Sequence, residues 1–334
     1  MVLFLDCLAL TLFASALLTK GLDELGEILR IPAGLFGLMT ALGANAPEIS
    51  SSVAALLSGA RDVGLGVVLG SNMFNLAALL GLSAMVAGPV RAHRAGLVLH
   101  GGVGLWVTLA GGALVVGWLS PVLSVVLMAA VVLPYGVALA TPPHRLRRLP
   151  LPDWLTGWLA RSVTEVRHEE STAEKAERED AKSRSGSAWG PIRVIGLALL
   201  AIVGGSIGMV NTALVLGHDW GVPQRFIGTL ALAALTGLPN AYAAVRLARK
   251  GQGAAVVSEA FNSNTLNILI GIGLPALIFG LGKAGARIDL EVAWLLGMTV
   301  VAGLLCARKG SLTRVEGGIV IALYLIFVGV YIAR

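Results

Sequence analysis

Gly43-Ala44-Asn45-Ala46-Pro47-Glu48 sets a proline and a carboxylate side by side in the middle of a long apolar run, roughly residues 31–58. A charged side chain at mid-membrane depth costs about 3 kcal/mol on insertion scales. A proline removes a backbone hydrogen bond, breaks the helix and frees carbonyl oxygens. An acid beside freed carbonyls is the donor set of a cation site. Thr236-Gly237-Leu238-Pro239-Asn240 repeats the arrangement in another apolar run, with an amide where the acid stood. The apolar run after each motif carries Ser71, Asn72 and Asn75, or Ser263, Asn264 and Asn267. Polar side chains inside apolar runs are rare and mark positions with a role.

The elements that must position these residues follow from composition. The chain has 334 residues, 56% hydrophobic and 13% charged, against about 25% charged in soluble domains. Counting about 20 apolar residues per span gives ten spans, roughly 2–19, 31–58, 63–87, 95–117, 120–140, 190–214, 223–247, 254–281, 287–306 and 314–333. The expected fold is an all-α polytopic membrane protein. A first half (1–140) and a second half (190–334) flank a charged loop (141–189). In that loop, Asp153 to Leu159 reads as a short amphipathic helix on the membrane surface, and the rest as a solvated linker or charged helix. Met1 to Leu18 lacks the basic start of a signal peptide and reads as a retained first span.

Of the 25 Lys and Arg, twenty fall on the side of the central loop and five (Arg61, Arg225, Lys283, Arg287, Arg334) on the other. The positive-inside rule then puts the loop in the cytoplasm and both termini outside, with the chain in a plasma membrane or bacterial inner membrane. The net charge of +6 is accounted for by those loops and does not argue for nucleic acid. Cys7 and Cys306 have no metal-ligand spacing. No nucleophile elbow, zinc-ligand helix or phosphate loop occurs, so no enzyme or cofactor is expected.

An offset of 192 residues lays Pro47 on Pro239, Ser71 on Ser263, Asn72 on Asn264, Asn75 on Asn267 and Gly81 on Gly273, without gaps. Polar residues recurring at matched positions inside spans indicate a duplicated unit. Each unit holds five spans, an odd number, so the second copy enters the membrane from the opposite side. Inverted repeats with broken helices and a midplane site are the architecture of secondary transporters.

These paired motifs resemble the two signature repeats of the sodium/calcium exchangers, in the calcium/cation antiporter superfamily, and the resemblance covers nearly the whole chain. It implies an antiporter that alternates between inward- and outward-open states, the first and sixth spans sliding against the repeat core. It implies ion ligands at a hydroxyl-rich turn, at the acid after proline, and at Ser and Asn of the next helix. Carried over by position, Glu48, Ser71, Asn75, Thr236, Ser263 and Asn267 agree with the pattern. Ala44 and Asn45 stand where the family prefers two hydroxyls, Gly237 where a hydroxyl is usual, Asn240 where it has a second acid, and Asn262 where a glycine is usual. Gly43, Pro47 and Pro239 are expected to provide the helix breaks.

Two acids would neutralise a divalent ion, whereas Glu48 alone leaves one positive charge unbalanced and suits one sodium ion or one proton better. Glu259 lies one turn before Ser263 on the same helix face, about 6 Å away. It reads either as a displaced second acid on the cytoplasmic pathway or as a solvated carboxylate in a first turn. Asn240 reads as ligand or as interhelical hydrogen bond. His100 reads as a hydrogen-bonded helix contact and Asn211 as a loop residue. The functional expectation is a cation antiporter of the sodium/calcium exchanger type, with Ca, Na or H as transported cations and lipid as its surroundings. The alternatives are a sodium- or proton-coupled antiporter for another cation, and a transport-inactive membrane scaffold.

Overall fold

The structure, a computed structural model, describes the chain apart from residues 30, 151, 179–187, 282–287 and 334. The end of the charged loop, and Lys283 and Arg287 of the charge count, therefore lie outside the described residues. In chain order the helices are α1 (Val2–Ile28), the short pair α2 (Ala33–Ala44) and α3 (Ala46–Leu57), α4 (Arg61–Ala87), α5 (Arg94–Val116), α6 (Pro121–Ala140), α7 (Pro143–Leu146), α8 (Asp153–Arg178), α9 (Trp189–Asp219), α10 (Gln224–Arg249), α11 (Gly253–Phe279), α12 (Ile288–Lys309) and α13 (Arg314–Ala333). Among the described residues, nine of these are long and apolar enough to cross a membrane, and α2 with α3 makes the remaining, interrupted span. This is the expected all-α bundle of two inverted five-helix halves.

Burial sorts the helices by role. The most apolar 18-residue window of α4 is 94% buried and that of α11 is 72% buried, against 22% for α1 and for α13. The polar signature residues therefore sit on the helices most enclosed by protein, and the apolar α1 and α13 face outward. α1 packs along α9, the first span of one half against the first of the other. α4 and α11 each contain a π-helical stretch, Leu76–Leu82 and Leu269–Gly273, which coincide under the 192-residue shift. π-bulges occur mostly at functional sites. α10 has its own, Ile227–Leu232.

Small residues let the central helices touch. A Cβ on Gly70 of α4 would lie 2.1 Å from the carbonyl oxygen of Thr229 in α10, so only glycine permits that approach. At one end of the molecule, β1 (Val90–Arg91) and β2 (Ser311–Leu312) pair antiparallel, tying the turn after α4 to the turn after α12. Gly253 abuts Arg91 there. Arg91, Arg94, Arg308 and Lys309 thus share what is called below the basic end.

Three expectations need correction. The segment from Asp153 is longer than the short helix expected: it runs to Arg178 and packs on protein beyond Leu159. Ala160, Ser162, Val163 and Val166 are buried in contact with α2, α5, α6 and α11, and Arg167 donates to the Leu139 carbonyl at 2.8 Å. Its apolar stripe found protein rather than lipid. Asn211 lies inside α9, not in a loop. Finally, α10 runs unbroken through Pro239.

Candidate cation site

The first signature helix breaks at one residue. Asn45, with φ −89° and ψ 0°, leaves helical geometry between α2 and α3. Its side-chain amide donates to the Ala41 carbonyl at 2.7 Å, which also accepts the Asn45 backbone N–H at 3.0 Å, so the side chain folds back on its own helix end. Pro47 then opens α3 in the first turn, where its missing N–H is harmless. At the equivalent place in α10 stands Gly237, and the helix continues. α1 docks at the first break: Ser15 donates to the Gly43 carbonyl at 3.0 Å.

Glu48 follows Pro47 in the first turn of α3 and is fully buried. Its Oε1 receives the Asn240 amide at 3.5 Å, and the same amide reaches Asn45 Oδ1 at 3.4 Å. Glu48 Oε2 is buried without a partner. The residue that occupies the second acid's place thus faces the first acid directly, contacting Glu48 and Asn45 across the interface of the two halves.

α4 and α11 cross through a reciprocal set of amides. Asn72 Nδ2 donates to the Asn264 carbonyl at 3.0 Å, and Asn264 Nδ2 donates to the Asn72 carbonyl at 3.0 Å. Asn75 Nδ2 donates to Asn264 Oδ1 at 3.3 Å, and Asn267 Nδ2 to Asn72 Oδ1 at 3.1 Å. The 192-residue shift exchanges each bond with its counterpart. This brace commits the nitrogens of Asn75 and Asn267 and leaves both Oδ1 atoms buried and unpartnered. Ser71 Oγ and Ser263 Oγ are buried and unpartnered as well. Buried polar atoms without partners are rare in folded proteins. Here five of the expected site residues, from three helices of both halves, each offer one such oxygen: Glu48, Ser71, Asn75, Ser263 and Asn267. That donor set is one anion and four neutral oxygens, which fits a hard cation.

The remaining expected residues sit around this set. The Thr236 hydroxyl is buried and donates to its own helix at Leu232, 2.8 Å away. Gly237 faces Phe74: a Cβ there would come within 2.8 Å of Phe74 Cδ1, so this ring fills the space of a side chain. Phe74 is itself met edge-on by Tyr324, ring centroids 6.1 Å apart. Ala44 is half-buried and lines a cavity of about 440 Å³ together with Asn240, Pro239, Ser258 and Glu259. The same cavity is lined by Lys20, Asp23 and Arg246. Glu259 is therefore a cavity-wall residue, and the buried oxygen cluster does not include it.

Sequence reasoning missed two things. Asn72 and Asn264 act as the brace, a role that their spacing from Asn75 and Asn267 does not assign. Glu291, in an apolar span, is 4% exposed; a lone acid in a span is itself the signal. His100 is the hydrogen-bonded contact expected: its Nδ1 is 2.6 Å from the Tyr135 hydroxyl, which donates to Asn262 Oδ1 at 2.7 Å. Asn262 in turn donates to Ser258 at 3.2 Å. Asn262, in place of the usual glycine, is thereby fastened to α5 and α6.

An inverted-repeat bundle whose signature helices meet at a buried polar centre is a secondary-transporter architecture. The model of the family described as sodium/calcium exchanger protein matches residues 1–142 and 191–333, and the chain belongs to that family. It is 27% identical over 281 residues to the inner membrane protein YrbG of Escherichia coli K12, covering 84% of this chain and 80% of that one. Against human sodium/potassium/calcium exchanger 4 it is 33% identical over 128 residues, 36% of this chain and 21% of that protein. Among solved structures, the H⁺/Ca²⁺ exchanger CAX shares the fold with a TM-score of 0.70 at 14% identity, over 97% of this chain and 80% of CAX. The sodium-calcium exchanger NCX_Mj shares it with a TM-score of 0.62 at 20% identity, over 98% of this chain and 97% of NCX_Mj.

Proposed function

We propose that the chain is a secondary active cation antiporter of the sodium/calcium exchanger type, working by alternating access with its ions held around Glu48. The observation that carries this is the set of five buried, unpartnered oxygens contributed by both halves. Glu48 is the charged ligand, and Ser71, Asn75, Ser263 and Asn267 are neutral ligands. Asn45, Thr236 and Asn240 complete the wall, and Ala44 and Gly237 contribute backbone only. The cavity reaching Asn240 is lined by Lys20 and Arg246, so by the positive-inside rule it opens to the cytoplasm. On that reading the conformation is inward-open, both termini lie outside and residues 141–189 form the cytoplasmic loop. Glu259 is then a wall group on the inward path that ions pass before reaching Glu48.

A second reading rests on the Asn240 contact to Glu48. With an amide in place of a second acid, the site carries one negative charge, which matches one monovalent cation or a proton. The experiment is radioactive calcium uptake into proteoliposomes loaded with sodium and diluted into sodium-free buffer. The exchanger reading expects uptake. Its absence from folded wild type shifts the reading to the monovalent one, tested by sodium-dependent proton flux in the same vesicles. Absence of both fluxes would leave a transport-inactive membrane protein.

A further inference from the structure

The end of the molecule opposite the basic end holds a second buried acid. Glu291 stands in the first turn of α12. Its Oε1 accepts from the Tyr331 hydroxyl of α13 and, at 3.3 Å, from the Thr229 hydroxyl of α10. Its Oε2 is buried and unpartnered. The Tyr331 ring is itself held by aromatic neighbours: Phe226 meets it edge-on with centroids 5.4 Å apart, and Phe327 stacks on it at 5.1 Å. Among the described residues, the charged groups nearest the carboxylate's field are Asp62 of α4 and Arg225 of α10. Arg225 places its Cζ 4.9 Å from the centre of the Phe226 ring. α5 packs on the next residue of α12, Gly112 against Val292.

An ionised carboxylate here would leave a buried anionic oxygen without a donor, with two neutral hydroxyls on the other oxygen and Asp62 adding repulsion. Burying a charge without a paired cation is strongly unfavourable. A proton on Oε2 removes the conflict and leaves both hydroxyl bonds to Oε1 in place. We propose that Glu291 is a proton-binding site, separate from the Glu48 centre, and that it carries its proton while this end of the protein is closed.

The link to closure is Thr229. It lies in the π-helical stretch of α10 that presses on α4, where a Cβ on Gly66 would be 2.5 Å from its hydroxyl. The residue that seals α10 against α4 is thus the residue that Glu291 holds. Opening this end would let water reach the carboxylate, and hydration favours its anion. Proton binding therefore favours the sealed end, and by reciprocity opening that end releases the proton.

Protonation at Glu291 stands independently of transport; its effect on flux rests on the antiporter reading. The test is infrared difference spectroscopy of the full chain in lipid through an alkaline titration. Glu291→Gln is expected to remove one protonated-carboxyl band that Glu48→Gln retains. An unchanged band in Glu291→Gln means the group is ionised and overturns the proposal. Tyr331→Phe keeps the ring and deletes a donor that favours the anion, so the band should persist to higher pH. A band lost at lower pH than in wild type overturns it equally. In vesicles, Glu291→Gln should flatten the dependence of flux on pH at that face; a dependence as steep as wild type contradicts the link to closure. If wild type carries no flux, the antiporter reading falls while the infrared band still decides this one.

Discussion

α2 and α3 with Glu48, and α10 with Asn240, are two copies of one element that now do different work. In the first copy, the chain breaks at Asn45, Ser15 of α1 takes up the Gly43 carbonyl that Pro47 leaves free, and an acid follows the proline. In the second, the helix passes through Pro239 intact, an amide follows, and Phe74 fills the space beside Gly237. The next helices diverge less, with Gly70 of α4 matched by Asn262 of α11. α4 and α11 keep the same serine, the same two asparagines and the same π-bulge position, and their four amide bonds interchange under the repeat. Frame and acid have therefore separated: the crossing that sets the two halves together is symmetric, and the buried acid sits on one side only. Asn240, by donating to Glu48, turns a position of repulsion between two acids into one of attraction.

The largest effect should come from removing the charge. Glu48→Gln should lower gradient-driven cation flux roughly 100-fold, about 2.8 kcal/mol of ion stabilisation, while the purified protein keeps its thermal transition. Next comes the frame. Asn72→Ala and Asn264→Ala should each lose about 2 kcal/mol of stability, and by equal amounts, as read from unfolding in detergent. Unequal losses would break the symmetry of the crossing. Asn240→Asp restores the acid and should raise apparent calcium affinity about 10-fold, or about 1.4 kcal/mol. If affinity stays the same, the missing acid does not set ion choice. The smallest effect belongs to Glu259→Gln: in a hydrated cavity its charge is screened, and flux should change by no more than about threefold, about 0.6 kcal/mol.

The helical fold and the gathering of the signature polar residues into one buried cluster were legible in the sequence because intramembrane polar residues are rare and each one carries information. Glu48 announced itself by burial cost, and Ser71, Asn75, Ser263 and Asn267 by recurrence. The division of labour among the asparagines was not legible, since four identical side chains give no hint of which are brace and which keep an oxygen free. That depends on the angle at which α4 crosses α11. The intact helix through Pro239 was hidden for a similar reason. Proline removes one hydrogen bond wherever it stands, and whether the helix then breaks depends on a neighbour able to hold the exposed carbonyl, as Ser15 of α1 does at Gly43. The packing of α8 on the protein was unreadable because an apolar stripe has the same pattern whether it meets lipid or helix.

The most direct test of a cation centre at Glu48 is anomalous diffraction from calcium-soaked crystals of the full chain. Calcium–oxygen distances run about 2.3–2.6 Å. The account predicts a peak at that distance from Glu48 Oε2, sharing the Oδ1 of Asn75 or Asn267, and absent from Glu48→Gln crystals. A peak confined to Glu259 and Asp23 in the cavity, or one that persists without the Glu48 carboxylate, would contradict it.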